Sequence, residues 1–338
     1  LLCYYIMKVK PLKKFNKKPK EKIDNDYPTQ AHQFKSPFLA LITAPRGVGK
    51  SFLASRLMTQ FKDEEIYDDY YVISPSWESN QGHFKHLNIP DENVFYPDKE
   101  AVQHVLNRIE DAKMEWENYL TEMEVFNEFR RATRNKTALN NLTNDELELF
   151  IDFKYIDEEG NINISIQKPK WRNKIIRPPT SILLMDDVLS SPALSQSEAF
   201  SSLTIRNRHL SPLKEPFENR QSMGLSVLIL SQCYLGGGRS GGQGSVPRGL
   251  RENLTLLIMF RSKAEGMMAK IREEVGGLID PVQFDEAVEY ALQGKRDALA
   301  IQFQHKCPTK KFLRFTEDGS EYIQFDEDLK ECKCSKHK

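Results

Sequence analysis

The stretch Phe38-Leu-Ala-Leu-Ile-Thr43, followed by Ala44-Pro-Arg-Gly-Val-Gly-Lys-Ser51, decides the fold of this chain. The first run is apolar and long enough for a buried strand, and the next eight residues have the pattern of a phosphate-binding loop that enters a helix. Glycine at two loop positions lets backbone N–H groups turn toward an anion, and the lysine ammonium group can reach the β- and γ-phosphates. The sequence therefore predicts a nucleoside triphosphate site formed by Ala44, Pro45, Arg46, Gly47, Val48, Gly49, Lys50 and Ser51.

One position of this loop departs from the full pattern. The pattern has glycine six residues before the lysine, and Ala44 occupies that place. Alanine fits the start of the turn if its φ is negative. The alternative, a chance match in a surface turn, is disfavoured because an apolar strand precedes the loop and a helical pattern follows it.

Composition sets the broad class of the protein. The 338 residues allow one large α/β domain with extensions, or two small domains. Lysine plus arginine equals aspartate plus glutamate at 48 each, so the net charge indicates no particular partner. Five irregularly spaced cysteines do not form a disulfide framework, which favours an intracellular, reducing compartment. No apolar run reaches the length of a membrane span.

Basic residues are concentrated toward the two ends of the chain. Between Lys8 and Lys22 there are eight lysines, one acid and two prolines, which predicts a disordered basic arm over residues 1–34. Two roles fit such an arm: it contacts nucleic acid, or it only keeps the protein in solution. Residues 326–338 are predicted as a basic tail, which leaves 35–325 as the folded domain.

Apolar runs separated by helical patterns fill the domain. Such strands, apolar on both faces, predict a mainly parallel central sheet covered by helices. A helix is expected over 98–134 and an edge strand at 161–166, together forming a helical and β insertion at 98–180. The remaining strands are predicted at residues 38–43, 69–74, 181–186, 225–232 and 254–260, with late, antiparallel edge strands at 298–303 and 311–315.

Polar residues end two of these strands. Asp186 closes an apolar run and, with the Ser51 hydroxyl, is a candidate ligand of Mg²⁺. Asp187 comes directly after it and is a candidate general base that polarises the attacking water. Gln232 ends another apolar run, where its amide could sense the γ-phosphate or orient the attacking water. No guanine-reading Asn-Lys-x-Asp motif is evident, which favours ATP.

Arginines come after the acids along the chain. Arg208 and Arg251 are the candidates for a finger that reaches the γ-phosphate of a neighbouring subunit. The other arginines are expected to form ordinary surface ion pairs. A glycine-rich loop at 235–249 comes after Gln232, and either a contact with DNA or a plain surface insertion fits its composition.

These residues together resemble the HerA–FtsK superfamily of P-loop ATPases, most of all the genome-packaging ATPases of poxviruses, other large DNA viruses and virophages. The matching segments keep the family's order and span roughly residues 37–303. Segments 99–180 and 211–224 are longer than is typical of the family. The matching segments are 44–51, 182–187, 208–209, 230–232 and 248–253.

The resemblance implies an α/β, RecA-like, ASCE-type P-loop NTPase fold and a ring-forming motor that pulls double-stranded DNA into a preformed capsid. It implies ATP and Mg²⁺ as cofactors and a capsid or portal-vertex protein as partner. It also implies the host cytoplasm or a virus factory as the location, with association with the virion left open. Two other functions remain: an assembly switch that binds ATP without translocation, and a P-loop kinase, which Asp187 disfavours.

Overall fold

The computed structural model describes most of the predicted domain. The described residues are 7–11, 34–134, 142–157, 159, 161–163, 165–218, 220–234, 245–262, 265–305 and 307–331. The rest of the predicted basic arm, most of the glycine-rich loop and the end of the predicted tail lie outside them. Among the described residues, no helix has the length and hydropathy needed to cross a bilayer.

The strands, numbered in chain order, form a large sheet and a separate hairpin. They are β1 (Met7–Pro11), β2 (Leu39–Thr43), β3 (Asp69–Ile73), β4 (Val94–Phe95), β5 (Ser181–Asp186), β6 (Pro212–Phe217), β7 (Arg220–Ser222), β8 (Ser226–Ser231), β9 (Leu256–Phe260), β10 (Ala298–Gln302), β11 (Phe312–Phe315) and β12 (Ser320–Phe325).

The helices connect these strands and flank the sheet. They are α1 (Lys50–Asp63), α2 (Trp77–Phe84), α3 (Ala101–Thr133), α4 (Asn144–Asp152), α5 (Pro192–Ser195), α6 (Glu198–Arg206), α7 (Arg248–Asn253), α8 (Glu265–Val275), α9 (Pro281–Ala291) and α10 (Asp326–Glu331).

The large sheet has the order β1-β12-β11-β10-β9-β2-β8-β5-β3-β4. Within the part β9-β2-β8-β5-β3-β4 of this order, adjacent strands are parallel. Within the part β1-β12-β11-β10-β9, adjacent strands are antiparallel. The predicted α/β class, the mainly parallel sheet and the antiparallel late strands are confirmed. In the sheet, β8 lies between the loop strand β2 and the acid strand β5, although in the sequence β3 and β4 are the strands between them.

Both faces of the sheet are buried, because successive side chains of each central strand point to opposite sides. In β2, Leu39 and Leu41 belong to a core that includes residues of α3, α6 and α8. Ala40 and Ile42 belong to a second core, formed with α1 and α2. Burial on both faces explains why the strand sequences are apolar throughout.

Three predicted features differ from the structure. Met7–Pro11, assigned to a disordered arm, is an edge strand that pairs with β12. The expected strand at 161–166 is reduced to a single bridge between Ile156 and Ile162. The predicted basic tail begins with α10, whose first turn carries three acids and whose Asp328 is buried and pairs with Lys311.

The insertion is anchored by aromatic packing around α3. The Trp116 side chain is 1% exposed, and its ring centroid lies 5.0 Å from that of Trp171 and 5.6 Å from that of Phe217 in the β6–β7 hairpin. Beyond this point α3 leaves the main core. Its last turns form a small core of their own with α4, in which Phe129 packs against Phe150 and Tyr155.

We expect Trp116→Ala to lower the free energy of unfolding by about 3–5 kcal/mol, because it removes a fully buried indole ring and leaves a cavity. Thermal and urea unfolding of the two proteins measure the difference. Met114→Ala on the same helix is the control: its side chain is 49% exposed, so its effect should stay within about 0.5 kcal/mol. Similar effects from the two substitutions would contradict this role of the Trp116 anchor.

Candidate active site

The predicted loop and the two strand-end signals meet at one edge of the sheet. In the parallel register Thr43 lies opposite Ser231, and Asp186 lies opposite Leu230. The chain therefore leaves β2, β8 and β5 at nearly the same level, and the segments after these three strands face a common space. This carboxyl edge is where parallel α/β sheets bind ligands.

The loop after β2 has the backbone of an anion cradle. Gly47 and Gly49 have φ of 77° and 128°, values that side chains other than glycine rarely adopt. Lys50 begins α1, and its Nζ donates to the carbonyl oxygen of Ala44 at 3.2 Å, so its side chain folds back along the loop. The helix N-terminus then adds N–H groups that point at the same place.

Ala44 is accommodated at the start of the loop. Its φ is negative, and it is fully buried beneath the loop. Its N–H donates to the carbonyl oxygen of Ser231 at 3.2 Å. The alanine therefore extends the β2–β8 pairing by one bond, and glycine is not needed there.

Lys50 is buried next to two carboxylates. Burial lowers the pKa of its ammonium group, while the charges of Asp187 and Asp186 raise it. Burial dominates, so the ammonium charge has less solvation than it would have in water. An anionic phosphate would supply the missing stabilisation, which is the electrostatic fit expected for a phosphate site.

Asp186 and Asp187 lie in different surroundings. Asp186 is 4% exposed, and burial together with the charge of Asp187 raises the pKa of its carboxyl group to about 6. Lys50 and a hydrogen bond from Asn80 act in the opposite direction, the Asn80 Nδ2 donating to Asp186 Oδ2 at 3.0 Å. Asp187 leaves the strand in the left-handed region, with φ of 51°.

Gln232 contacts Asp187 directly. Its Nε2 donates to both carboxylate oxygens of Asp187, each at 3.2 Å. The amide and the carboxylate reach each other from β8 and β5, which are neighbours in the sheet. The strand pairing therefore brings the two side chains together.

The residues present fit a magnesium–nucleotide complex better than a protein-only metal cage. Ser51 and Asp186 offer the hydroxyl and carboxylate oxygens that Mg²⁺ prefers. In the part of the chain that the structure describes, no cluster of three or more His, Cys, Asp or Glu side chains could hold an ion. Mg²⁺ usually completes its shell with phosphate oxygens and water, so two protein ligands suffice.

Asn80 belongs to the site and was missed by the sequence analysis. It lies on α2, and its amide donates to Ser76 Oγ at 3.0 Å as well as to Asp186. Asn80 and Asp186 are 106 residues apart, and no spacing pattern connects α2 with β5. Only the packing of α2 over the edge of the sheet reveals the contact.

The two candidate finger arginines lie away from the loop and acids of their own chain. Arg208 lies beside the amino end of β8, at the opposite edge of the sheet, and donates to the Gln304 amide oxygen at 2.6 Å. Arg251 on α7 donates to Glu274 Oε2 at 3.0 Å and to the carbonyl oxygen of Val246 at 2.6 Å. A role toward a neighbouring subunit stays a prediction for both.

Arg251 is part of a clamp that we define as Tyr234, Arg251 and Glu274. The Tyr234 hydroxyl donates to Glu274 Oε2 at 2.8 Å, and the Arg251 guanidinium lies 5.6 Å from the centre of the Tyr234 ring. The Arg251 side chain is only 14% exposed. Its guanidinium group is therefore committed to its own subunit in this structure.

Comparison with known proteins gives distant structural likenesses only. No protein-family profile and no curated protein matches the chain. The genome-packaging NTPase B204 of Sulfolobus turreted icosahedral virus 2, bound to sulfate, is 11% identical with a TM-score of 0.41, over 82% of this chain and 96% of that one.

Two further similar structures come from other systems. EssC (ATPases 2 and 3) of Geobacillus thermodenitrificans is 14% identical with a TM-score of 0.38, over 86% of this chain and 39% of that one. The conjugation coupling protein TcpA of pCW3, with ATPγS, is 11% identical with a TM-score of 0.40, over 94% of this chain and 65% of that one. Because these likenesses are distant, the function has to be inferred from the geometry of the site itself.

We expect the stability of the ligand-free, metal-free protein to fall as the pH rises from about 4 to about 6. The raised pKa of Asp186 means that the folded protein keeps a proton that the unfolded chain, with its usual value of 3.8, has already released. The native state therefore binds more protons than the unfolded chain in this pH window, and the free energy of unfolding falls by up to about 3 kcal/mol.

Asp186→Asn provides the comparison for this pH dependence. Unfolding curves of wild type and variant, measured between pH 4 and pH 7, should diverge across the window, with the variant becoming relatively more stable. Parallel curves would show that Asp186 titrates at its ordinary pKa.

We expect Arg251→Ala to lower the free energy of unfolding by about 1–3 kcal/mol, because Glu274 and the Val246 carbonyl lose a charged donor. Arg248→Ala on the same helix is the control. The Arg248 side chain is 84% exposed and pairs with the exposed Glu252, so its free energy of unfolding should change by less than about 0.5 kcal/mol. Equal stabilities for the two variants would rule out a structural role of the clamp.

Proposed function

We propose that this protein is an ATP-hydrolysing motor that translocates double-stranded DNA and packages a viral genome into a preformed capsid. The observation behind the proposal is the convergence of an anion cradle, two acids and an amide at one sheet edge, with Gln232 bonded to Asp187. A phosphate-binding loop alone fits many proteins. The additional acid and amide are the groups that water-dependent cleavage of a phosphoanhydride requires.

Each side chain has a distinct part in this proposal. Lys50 and the N–H groups of the loop would bind the β- and γ-phosphates, and Ser51 and Asp186 would hold Mg²⁺. The ion would neutralise phosphate charge as the terminal bond breaks. Asp187 would accept a hydrogen bond from the attacking water and orient it toward the γ-phosphorus.

Gln232 supplies the sensor. Its Nε2 now donates to both Asp187 oxygens, and a γ-phosphate oxygen would compete for the same donor. Binding of ATP would thus shift the amide away from Asp187 and free that carboxylate to accept the water. Loss of the γ-phosphate would restore the contact, so the pair distinguishes ATP from ADP.

The position of Arg208 supports assembly into a ring. Arg208 lies at the edge of the sheet opposite Lys50 and is exposed. In a head-to-tail ring that edge of one subunit can face the nucleotide site of the next, where a guanidinium group would stabilise transition-state charge. A capsid or portal-vertex protein would then bind the assembled ring.

We expect ATP turnover to be stimulated by double-stranded DNA in the wild type, and to fall by about 100-fold or more in Lys50→Ala and Asp187→Asn. The two variants should differ in binding, because Lys50→Ala removes a phosphate contact whereas Asp187→Asn keeps the cradle. Fluorescent ATP binding and phosphate release measure the two effects separately.

Lys85→Ala and Asp91→Asn are the matched controls, since both side chains are exposed and lie outside the site. If double-stranded DNA did not change the rate of ATP turnover, the proposed motor function would be wrong. If the wild type bound ATP without hydrolysing it, and the Asp187→Asn variant still assembled, the assembly switch would be favoured. A phosphorylated acceptor would establish a kinase.

A further inference from the structure

A second cleft lies at the far end of α3, within the insertion. Its volume is about 410 Å³, and we call it the α3 cleft. Helix α3 has 33 residues and is therefore about 50 Å long. It starts near β4, at the edge of the sheet that holds the nucleotide site, and its last turns lie beyond the main core. The α3 cleft is lined by Phe126, Asn127, Arg130, Arg131, Arg134 and Lys168.

The four cations of the α3 cleft lack acidic partners. Among the described residues, no carboxylate forms an ion pair with Arg130, Arg131, Arg134 or Lys168. The Arg130 guanidinium group lies 6.0 Å from the centre of the Phe126 ring. Several arginines elsewhere do pair with a carboxylate at short distance, as Arg172 does with Asp69 at 2.8 Å. Four uncompensated charges around one concavity produce a strong positive potential.

The cations are held on a rigid support. Phe129, on the buried side of the same helical turns, packs with its ring centroid 5.3 Å from Phe150 and 5.0 Å from Tyr155. The N-terminus of α4 is fixed by a capping box between Thr143 and Glu146. The small core therefore fixes the last turns of α3, so the entropy lost when the arginines bind a ligand is confined to their side chains.

The lining favours phosphates over a protein partner. Protein interfaces depend on an apolar anchor that fills a pocket, and the aromatic residue of the cleft, Phe126, is only 8% exposed. Arg130 and Arg134 are one helical turn apart, and Lys168 faces them from another segment of the chain. Guanidinium groups at this spacing suit successive phosphate oxygens of a polyanion.

We propose that the α3 cleft binds the phosphate backbone of double-stranded DNA; the choice of DNA among polyanions rests on the proposed function. The contact is independent of sequence, since the lining offers charge and no groups arranged to read base edges. It is also independent of the nucleotide site, because it involves none of the residues that bind or cleave ATP. The insertion is then a second point of attachment for DNA on each subunit.

The test is the affinity for a fluorescent 30-base-pair duplex, measured by anisotropy without ATP between 50 and 200 mM salt. In the variant Arg130→Gln/Arg131→Gln/Arg134→Gln we expect affinity at 50 mM salt to fall at least tenfold. The slope of log K against log salt should decrease by about 2 to 3, because each lost phosphate contact removes about 0.9.

A matched variant removes the same charge elsewhere. Lys85→Gln/Lys270→Gln/Lys330→Gln replaces three exposed lysines outside the cleft, and it should change affinity less than twofold with the slope retained. If the two variants lost the same affinity for DNA, the effect would come from net charge alone and the proposal would be wrong. Full affinity in the arginine variant would overturn it as well.

Two further measurements separate the remaining outcomes. Lys168→Gln changes the other wall of the cleft and should reduce the salt slope by about 1. Because this substitution lies outside α3, it still tests the proposal if the triple variant does not fold. Poly-glutamate that competes with DNA at equal charge concentration would identify an acidic protein segment as the ligand and refute a DNA site. Because no ATP is present, failure here leaves the proposed motor activity untouched.

Discussion

The hydrogen-bond register of the parallel strands β2, β8 and β5 determines where each charged group of the site lies. Thr43 opposite Ser231, and Asp186 opposite Leu230, bring three chain segments to one level at the carboxyl edge. A shift of one residue in any of these strands would turn its buried side chains to the opposite face. The apolar residues that fill both cores therefore also fix the positions of Lys50, Asp187 and Gln232.

The same burial gives the site its electrostatic character. Lys50 and Asp186 are both removed from water, and each has its charged form disfavoured by that burial. The polypeptide compensates only in part, through the Ala44 carbonyl for the ammonium group and the Asn80 amide for the carboxylate. A ligand that brings both negative oxygens and a divalent cation satisfies the two groups at once, which neither an anion nor a metal ion alone can do.

Local patterns in the sequence predict the backbone of the site well. The loop, the central strands and the polar residues that end them lie where the sequence places them, since each is set by a short run of residues. Long-range contacts cannot be predicted from local patterns: Asn80 reaches Asp186 only through the packing of α2. Strand β12 was not predicted either, because it mixes polar and apolar residues in a pattern that is typical of many loops. Arg251 shows the same limit, because the partners that hold it, Tyr234 and Glu274, come from separate elements.

Gln232 and Tyr234 are separated by one residue, although they belong to different contacts. The first is bonded to Asp187, and the second to Glu274, which also accepts from Arg251. Cys233 between them is held at both backbone groups: its N–H donates to Ser231 Oγ at 3.3 Å, and its carbonyl oxygen accepts from the same hydroxyl at 2.8 Å. The nucleotide edge and the helices α7 and α8 are therefore connected through three consecutive residues of one chain segment.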